Sequence, residues 1–332
     1  MNADKTGRRL TVSAETWPIA GTFRISRGAR TETQVVAVEI AEGHAVGRAE
    51  CVPYPRYGES IAETVAQLTA LEGAISDGLD RQALQTTLPA GALRNALDCA
   101  LWDLDAKRAG TTVWQLAGLA EPKPLTTAYT LSLDTLDAMG AAAAANSHRP
   151  LLKVKLDGDE VVERIRAIHQ NAPQSSIIVD ANEAWTPALL AEVAPRLGEL
   201  GVEMIEQPLH ADDDSALDGM ARPVPLCADE SCHDSATVAG LVGRYDLVNI
   251  KLEKTGGLTE ALKLADTAEA AGFGIMVGCM IGTSLSMAPA TLVASRARFV
   301  DLDGPLLLAR DRDPGITFEG SIMAPPPAAL WG

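Results

Sequence analysis

The sequence predicts an α/β protein: a (β/α)7-8, TIM-like barrel preceded by an N-terminal α+β capping domain. Three observations predict it. First, short apolar runs centre near Tyr129, Val154, Val179, Ile205, Ala228, Ile250, Val277 and Asp301. Their spacing of about 22–27 residues leaves room for one strand, one helix and two loops per unit. Second, residues 1–125 lack this repeat. Third, charged residues recur inside or just after successive runs, at Lys153 and Lys155, Asp180, Glu206, Asp229 and Lys251. A buried charge is costly unless it is paired or bound to a metal, so such charges on successive units predict one shared polar site.

The N-terminal elements are read in order. Val35–Ile40 is a strand, and Arg30–Glu39 with Thr22–Ser26 forms a hairpin or meander. Ile61–Ile75 and Ala92–Ala109 are helices. Strands followed by helices predict an α+β unit. The prolines of Glu121-Pro122-Lys123-Pro124 place a boundary there, giving a cap over residues 1–122 and a barrel over 123–304. Within the barrel, Ala141–Ala145, Val161–His169, Leu189–Leu197 and Thr259–Ala271 read as helices. The tail, 305–332, returns to the cap, and Ala324-Pro325-Pro326-Pro327 packs as an extended segment.

The chain has 332 residues and a formal net charge of −16. So acidic a surface excludes nucleic acid and anionic membrane as partners. Residues Met1–Arg9 lead into no apolar stretch and no run reaches membrane-spanning length, so a cytoplasmic location is expected. Five scattered cysteines, Cys51, Cys99, Cys227, Cys232 and Cys279, form no CxxC pair and read as buried thiols.

Active sites of such barrels lie at the C-terminal ends of the strands. Asp180, Glu206 and Asp229 fall there on three consecutive strands. Converging carboxylates without His or Cys suit a hard divalent ion, Mg2+ or alternatively Mn2+, rather than zinc. Three isolated helix caps or lysine partners would be the bland alternative. Lys153 and Lys155 share a strand face about 7 Å apart. At an effective dielectric of ~20 their repulsion is about 2.4 kcal/mol, nearly two pKa units, enough to favour a neutral general base. Lys251 lies four strands further on, across the mouth. A lysine on each face suits removal of a proton from one side of a carbon and its return from the other, with a metal stabilising the enediolate of a carboxylate substrate. Asp301 and Asp303 share a face on the eighth strand and could hold an ammonium group, or simply form a solvated loop end.

Together the Lys153-x-Lys155 pair, the Asp180/Glu206/Asp229 triad, Lys251 and the capped barrel resemble the enolase superfamily in its muconate-lactonising subgroup, where a lysine base works with Mg2+. Pro53–Ser60, Arg94–Asp103, Asn249–Gly257, Gly278–Thr283 and Asp301-x-Asp303 are similar to the dipeptide epimerases, specifically the L-Ala-D/L-Glu epimerases. The resemblance spans nearly the whole chain. It implies one Mg2+ per subunit on Asp180, Glu206 and Asp229, and acid/base catalysis by Lys155 and Lys251. It implies that Lys153 tunes Lys155 and touches the substrate carboxylate, that Asp301 and Asp303 bind the substrate ammonium, and that Asn182 and Glu230 support the ligands. Arg56, Tyr57, Arg24, Cys279 and Met280 are further candidates for substrate contact, with Arg24, Arg27, Arg30 and Arg56 competing for the substrate's side chain.

The expected activity is therefore inversion of the C-terminal α-carbon of a small dipeptide by 1,1-proton transfer. The alternative is a lyase or cycloisomerase on the same scaffold, of the o-succinylbenzoate synthase or muconate cycloisomerase type. Those substrates carry no ammonium, so Asp301 and Asp303 count against them. Whether the chain forms a homo-oligomer stays open.

Overall fold

The computed structural model describes residues 7–332, so the reading of the first six residues lies outside it. The chain begins with a three-stranded antiparallel meander: β1 (Arg9–Ile25), β2 (Gly28–Glu42) and β3 (Ala45–Cys51). The hairpin at Ser26-Arg27 has the expected partners, with Phe23 opposite Arg30. β1 runs much further back than the sequence suggested. Its buried residues change face along the strand: Leu10 belongs to the main core, whereas Trp17, Ile19 and Phe23 join a second apolar cluster, so no single two-residue period runs through β1. β3 escaped notice because Gly47 and Arg48 interrupt its apolar run. Gly47 is needed for packing: a Cβ there would lie 2.1 Å from the Ala100 carbonyl. The strand backbone thus rests directly on the long cap helix.

That helix is the fourth of five: α1 (Ile61–Ala70), α2 (Glu72–Ser76), α3 (Arg81–Thr87), α4 (Ala92–Ala109) and α5 (Val113–Leu116). Ser60 caps α1, its hydroxyl accepting from Glu63 N. The single helix expected over Ile61–Ile75 is interrupted at Leu71, which ends α1 and starts α2. α4 has the expected bounds and stops at Gly110, whose φ of 63° is the left-handed conformation that glycine adopts without strain.

A short strand, β4 (Leu125–Thr126), leads into the barrel. Its eight parallel strands are β5 (Tyr129–Leu131), β6 (Leu151–Lys155), β7 (Ser176–Asp180), β8 (Val202–Glu206), β9 (Leu226–Ala228), β10 (Leu247–Ile250), β11 (Gly274–Gly278) and β12 (Phe299–Asp301). Every expected run centre falls in one of them. Each strand pairs with the next, and Ala128 N donates to Val300 O at 2.7 Å across the β5/β12 seam. Helices α6 (Leu136–Ala145), α7 (Val161–Asn171) and α8 (Pro187–Glu199) cover the first units. A 3₁₀ segment, Ala211–Leu217, replaces the helix after β8. Then come α9 (Val238–Leu241), α10 (Leu252–Thr255), α11 (Leu258–Ala270), α12 (Ser284–Ala294) and α13 (Gly304–Leu307). No helix among the described residues is long and apolar enough to cross a membrane.

The tail forms a hairpin of β13 (Phe318–Glu319) and β14 (Ile322–Met323), and β14 pairs with β4. Ala324–Pro327 has no helix. The last residues reach α4: Trp331 Nε1 donates to Cys99 O at 3.1 Å, and Gly332 N to Asp103 Oδ1 at 2.8 Å. Trp331 is buried and belongs to the main hydrophobic core. Trp331→Ala should therefore lower stability by about 3–5 kcal/mol, read from the denaturant midpoint. A loss below about 1 kcal/mol would show that the tail does not fasten the chain's two ends together.

Candidate active site

Parallel pairing sets the site. Lys155 is opposite Asp180, and Asp180 is opposite Glu206, so three charged residues end adjacent strands at one level. Asp229 follows β9 by one residue, and Lys251 follows β10 by one residue. All five side chains are buried at the C-terminal mouth. Asp180, Glu206 and Asp229 each offer an oxygen, and these oxygens lie within 4.8 Å of one another.

Lysines compensate this negative charge. Lys153 Nζ lies 2.7 Å from Asp301 Oδ2, 2.7 Å from Glu206 Oε2 and 3.2 Å from Asp180 Oδ2. Lys155 Nζ donates to Asp180 Oδ2 at 2.5 Å. Lys251 Nζ donates to Asp229 Oδ2 at 2.6 Å. Lys254 takes the other side of Asp229, donating to Oδ1 at 2.6 Å and to the carbonyls of Asp229 and Asn249 at 2.5 and 2.9 Å. Asn249 Nδ2 donates to Glu206 Oε1 at 2.7 Å.

The protonation balance differs from the lysine-repulsion argument made from sequence. Burial alone would lower the Lys153 pKa, but Asp301, Glu206 and Asp180 together raise it well above the ordinary value. Lys153 is therefore held charged among carboxylates rather than discharged by Lys155. The same balance, burial against Asp229 and Glu206, raises Lys251. Burial and the neighbouring Asp180 push Glu206 up to about 7. Asp229, between Lys251 and Lys254, is held well below the usual range against its burial.

Other candidates lie at or just beyond the ends of β7, β9, β11 and β12. Asn182 has φ 45° and donates its N–H to Asp180 Oδ1 at 2.9 Å; its buried side-chain Oδ1 has no partner. Glu230 accepts from Arg27 Nη2 at 2.9 Å, and its Oε2 is also unpartnered. On the eighth strand, Asp301 binds Lys153 through Oδ2 and leaves Oδ1 unpartnered. Asp303 Oδ2 accepts from Thr130 N at 2.7 Å, and burial beside Asp301 pushes Asp303 up to about 7. Cys279 is half-buried, and burial raises its thiol pKa well above the ordinary value, so it is no thiolate nucleophile. Met280 packs under the hairpin with Trp17, Phe23 and Ile281.

The cap arginines are not equivalent. Arg27 sits at the hairpin apex and reaches over the mouth: Nη1 donates to Asn182 O at 3.0 Å and to Glu183 Oε2 at 3.2 Å. Arg56 grips the same Glu183 with two hydrogen bonds of 2.9 and 2.8 Å. Arg30 lies over the Phe23 ring, 5.8 Å from its centroid. Arg24 alternates to the opposite strand face from Phe23 and lines a groove between the hairpin and the loops that follow β5 and β6, with Leu133, Thr135 and Asp157. Tyr57 stacks edge-on against Tyr54 and His233, and Asp229 and Lys251 are among its electrostatic neighbours.

Sequence reasoning assigned no role to Lys254, Glu183 or Gln207. Lys254 had a signal: it follows Lys251 by three residues inside a buried segment. Gln207 Oε1 accepts from Asp229 N and Ser231 N, fixing the strand end that carries a triad member. Nothing in its sequence neighbourhood betrayed that.

An all-oxygen cation site flanked by lysines, at the mouth of a capped barrel, defines a class of enzymes built on one scaffold. The chain belongs to that class's enolase-like family. Residues 8–118 match the mandelate racemase/muconate lactonizing enzyme N-terminal domain, and residues 137–326 match the enolase C-terminal domain-like family. The L-Ala-D/L-Glu epimerase of Escherichia coli strain K12 is 48% identical over 94% of this chain and 98% of its own. An N-acetyl-D-glutamate racemase from Pseudoalteromonas sp. is 48% identical over 90% and 95%. A solved enolase family member from Agrobacterium tumefaciens with homology to dipeptide epimerases, holding sodium and L-Ala-L-Glu with an ordered loop, matches with a TM-score of 0.96 and 51% identity, covering 98% of this chain and 100% of that one. A dipeptide epimerase from Enterococcus faecalis V583, complexed with Mg and L-Leu-L-Tyr, matches with a TM-score of 0.89 and 28% identity over 97% and 98%.

Glu183 joins the hairpin to the barrel. Burial alone would raise its pKa, but Arg56 and the Ala211 N–H bring it below the ordinary glutamate value. Glu183→Gln should speed amide hydrogen exchange in the 23–30 hairpin by about 10-fold, equivalent to roughly 1.4 kcal/mol of lost charge-assisted bonding. Unchanged exchange there would show that the hairpin is held by its apolar face alone.

Proposed function

We propose that this chain is a Mg2+-dependent dipeptide epimerase, of the L-Ala-D/L-Glu type, that inverts the α-carbon of the C-terminal residue. The observation that carries the reading is the placement of Lys155 and Lys251. They sit at the ends of β6 and β10, with Lys155 on Asp180, Lys251 on Asp229 and Glu206 on the strand between. A carboxylate substrate at the triad would have one lysine on each side of its α-carbon. One lysine removes the α-hydrogen, the carbon becomes planar, and the other lysine returns a proton to the opposite face.

Asp180, Glu206 and Asp229 fit one Mg2+ per subunit. Their donors are all carboxylate oxygens, buried and convergent, with no His or Cys, and Mn2+ would suit the same set. When bound, the ion would draw negative charge from the substrate carboxylate and so make its α-hydrogen more acidic. Lys153, fixed by Asp301 and Glu206, would orient that carboxylate. Asp301 and Asp303, with an unpartnered Asp301 Oδ1, would receive the dipeptide's ammonium. Arg27, which bridges Asn182, Glu183 and Glu230 at the mouth, is read as meeting the glutamate side chain, with Arg24 in the adjoining groove as the competing candidate.

The second reading is an N-acylated glutamate racemase, favoured by the activity of the Pseudoalteromonas relative. That substrate has the glutamate but no ammonium. Asp301 and Asp303 favour the dipeptide, and they also disfavour the succinate-type lyases and cycloisomerases.

Incubation with L-Ala-L-Glu and Mg2+ in D2O should place deuterium at the glutamate α-position and yield the D-epimer, and EDTA should abolish both. N-acetyl-glutamate should exchange far more slowly. Exchange of it alone would replace the dipeptide reading. Lys155→Ala and Lys251→Ala should each reduce epimerisation by about 10²–10⁴-fold. Asp303→Asn should raise KM for substrates with a free amino end. Arg27→Ala should raise KM for L-Ala-L-Glu while Arg24→Ala leaves it near wild type; the opposite ranking would assign the glutamate side chain to Arg24.

A further inference from the structure

Two motifs in the sequence, Arg94–Asp103 and Asn249–Gly257, meet in the structure at contacts the chemistry above does not use. Helix α4 of the cap lays its first two turns on the turn that follows Lys251. Arg94 is buried and makes four hydrogen bonds to backbone carbonyls. Nη2 donates to Thr255 O at 2.6 Å and Nε to Gly256 O at 3.2 Å, while Nη1 donates to Gln85 O and Leu88 O. One turn on, Asp98 accepts from Thr259 N at 2.9 Å and Thr259 Oγ1 at 2.6 Å, and also from Gln85 Nε2.

The two glycines between these anchors make the contact close. Gly256 has φ 72° and Gly257 has φ 112°. A Cβ on Gly256 would lie 2.4 Å from Arg94 Nε, and one on Gly257 would lie 2.5 Å from Asp98 Cβ. The turn they end is a single hydrogen-bonded block that starts at Lys251. The Lys251 carbonyl accepts from Lys254 N and Thr255 N, each at 3.0 Å. The Leu252 carbonyl accepts from Gly256 N and Gly257 N at 2.9 and 3.0 Å. Moving the Gly256-Gly257 end therefore moves the backbone that aims Lys251.

The two lysines differ in this respect. Lys155 is within β6, paired in register with Asp180 of β7, so the sheet itself holds it. Lys251 lies one residue beyond the last residue of β10 and is the N-cap of a four-residue helix. So short a helix has little stability of its own. Its C-terminal carbonyls are satisfied by an arginine, whose rigid fork can hold several acceptors at once where a lysine would supply one point charge.

We infer that Arg94 and Asp98 of the cap are positioning residues for Lys251, acting through the Gly256-Gly257 turn, and that they govern the half of the proton transfer that uses that lysine. The inference rests on the epimerase reading for its kinetic consequence, but not for its structural one.

The test uses the full chain and deuterium exchange from each dipeptide epimer separately. Lys251→Ala identifies the epimer whose α-hydrogen Lys251 removes. Arg94→Lys and Asp98→Asn should slow exchange of that same epimer by about 10–100-fold, the cost of roughly 1 Å of misplacement, and leave the other within about 3-fold. Gly256→Ala approaches the contact from the barrel side and should give the same asymmetry. Equal losses for both epimers, or no loss, would overturn the inference. A crystal structure of Asp98→Asn decides independently of the reaction: Lys251 should leave its 2.6 Å contact with Asp229 while Lys155 keeps Asp180. An unmoved Lys251 would overturn the inference even if the protein exchanged no dipeptide at all.

Discussion

Mutual compensation of buried charge at the barrel mouth is the interaction on which the rest of this structure depends. Lys153, Lys155, Lys251 and Lys254 share one end of the barrel with Asp180, Glu206, Asp229, Glu230, Asp301 and Asp303, and all are buried. Neither set could leave water without the other, since an unpaired buried charge costs several kcal/mol. Compensation is incomplete, with more carboxylates than lysines. Glu206, Glu230 and Asp303 are each pushed up to about 7, by burial first and by neighbouring carboxylates second. The centre is therefore a place where a divalent cation and an ammonium would both be welcome, inside a protein whose overall charge would repel an anionic substrate.

Topology makes that density attainable. Parallel strands put one side chain per strand at the same height, and a register shift between Ile177 and Ile178 sets the β7/β8 pairing in which Asp180 faces Glu206. Positive φ appears just beyond the strand ends, at Asn182, Glu183 and Gln207. Asn182 and Gln207 then bond to Asp180 and Asp229, while Glu183 holds the cap arginines Arg27 and Arg56. The cap then supplies what the barrel lacks. Its hairpin brings Arg27 to Glu230, a 3₁₀ turn at Pro55–Tyr57 brings Arg56 to Glu183, and α4 grips the turn after Lys251.

The barrel and the metal-lysine set were legible because both are periodic. A strand must place its charge at its end, and the unit repeats, so Lys155, Asp180, Glu206, Asp229 and Lys251 announce themselves in one dimension. β1 and β3 were not legible, because β1 changes its buried face between Leu10 and Trp17, and Gly47 and Arg48 interrupt the apolar run of β3. Contacts between distant segments were hidden as well. Arg24 and Arg27 look alike in sequence, and only the hairpin register separates the outward residue from the apical one. The lysine-repulsion argument saw only part of the balance for the same reason: the nearest charge to Lys153 in sequence is Lys155, but its nearest charges in space are Asp301 and Glu206.

The central claim is geometric: two lysines address opposite faces of one carbon held at the triad. A crystal structure with Mg2+ and L-Ala-L-Glu measures it directly. The account predicts the substrate's terminal carboxylate at the ion, with Lys155 Nζ and Lys251 Nζ on opposite sides of the glutamate α-carbon and each near enough to exchange a proton with it. Both ammoniums on one side of that carbon, or a dipeptide seated with its amino end at the ion, would contradict it.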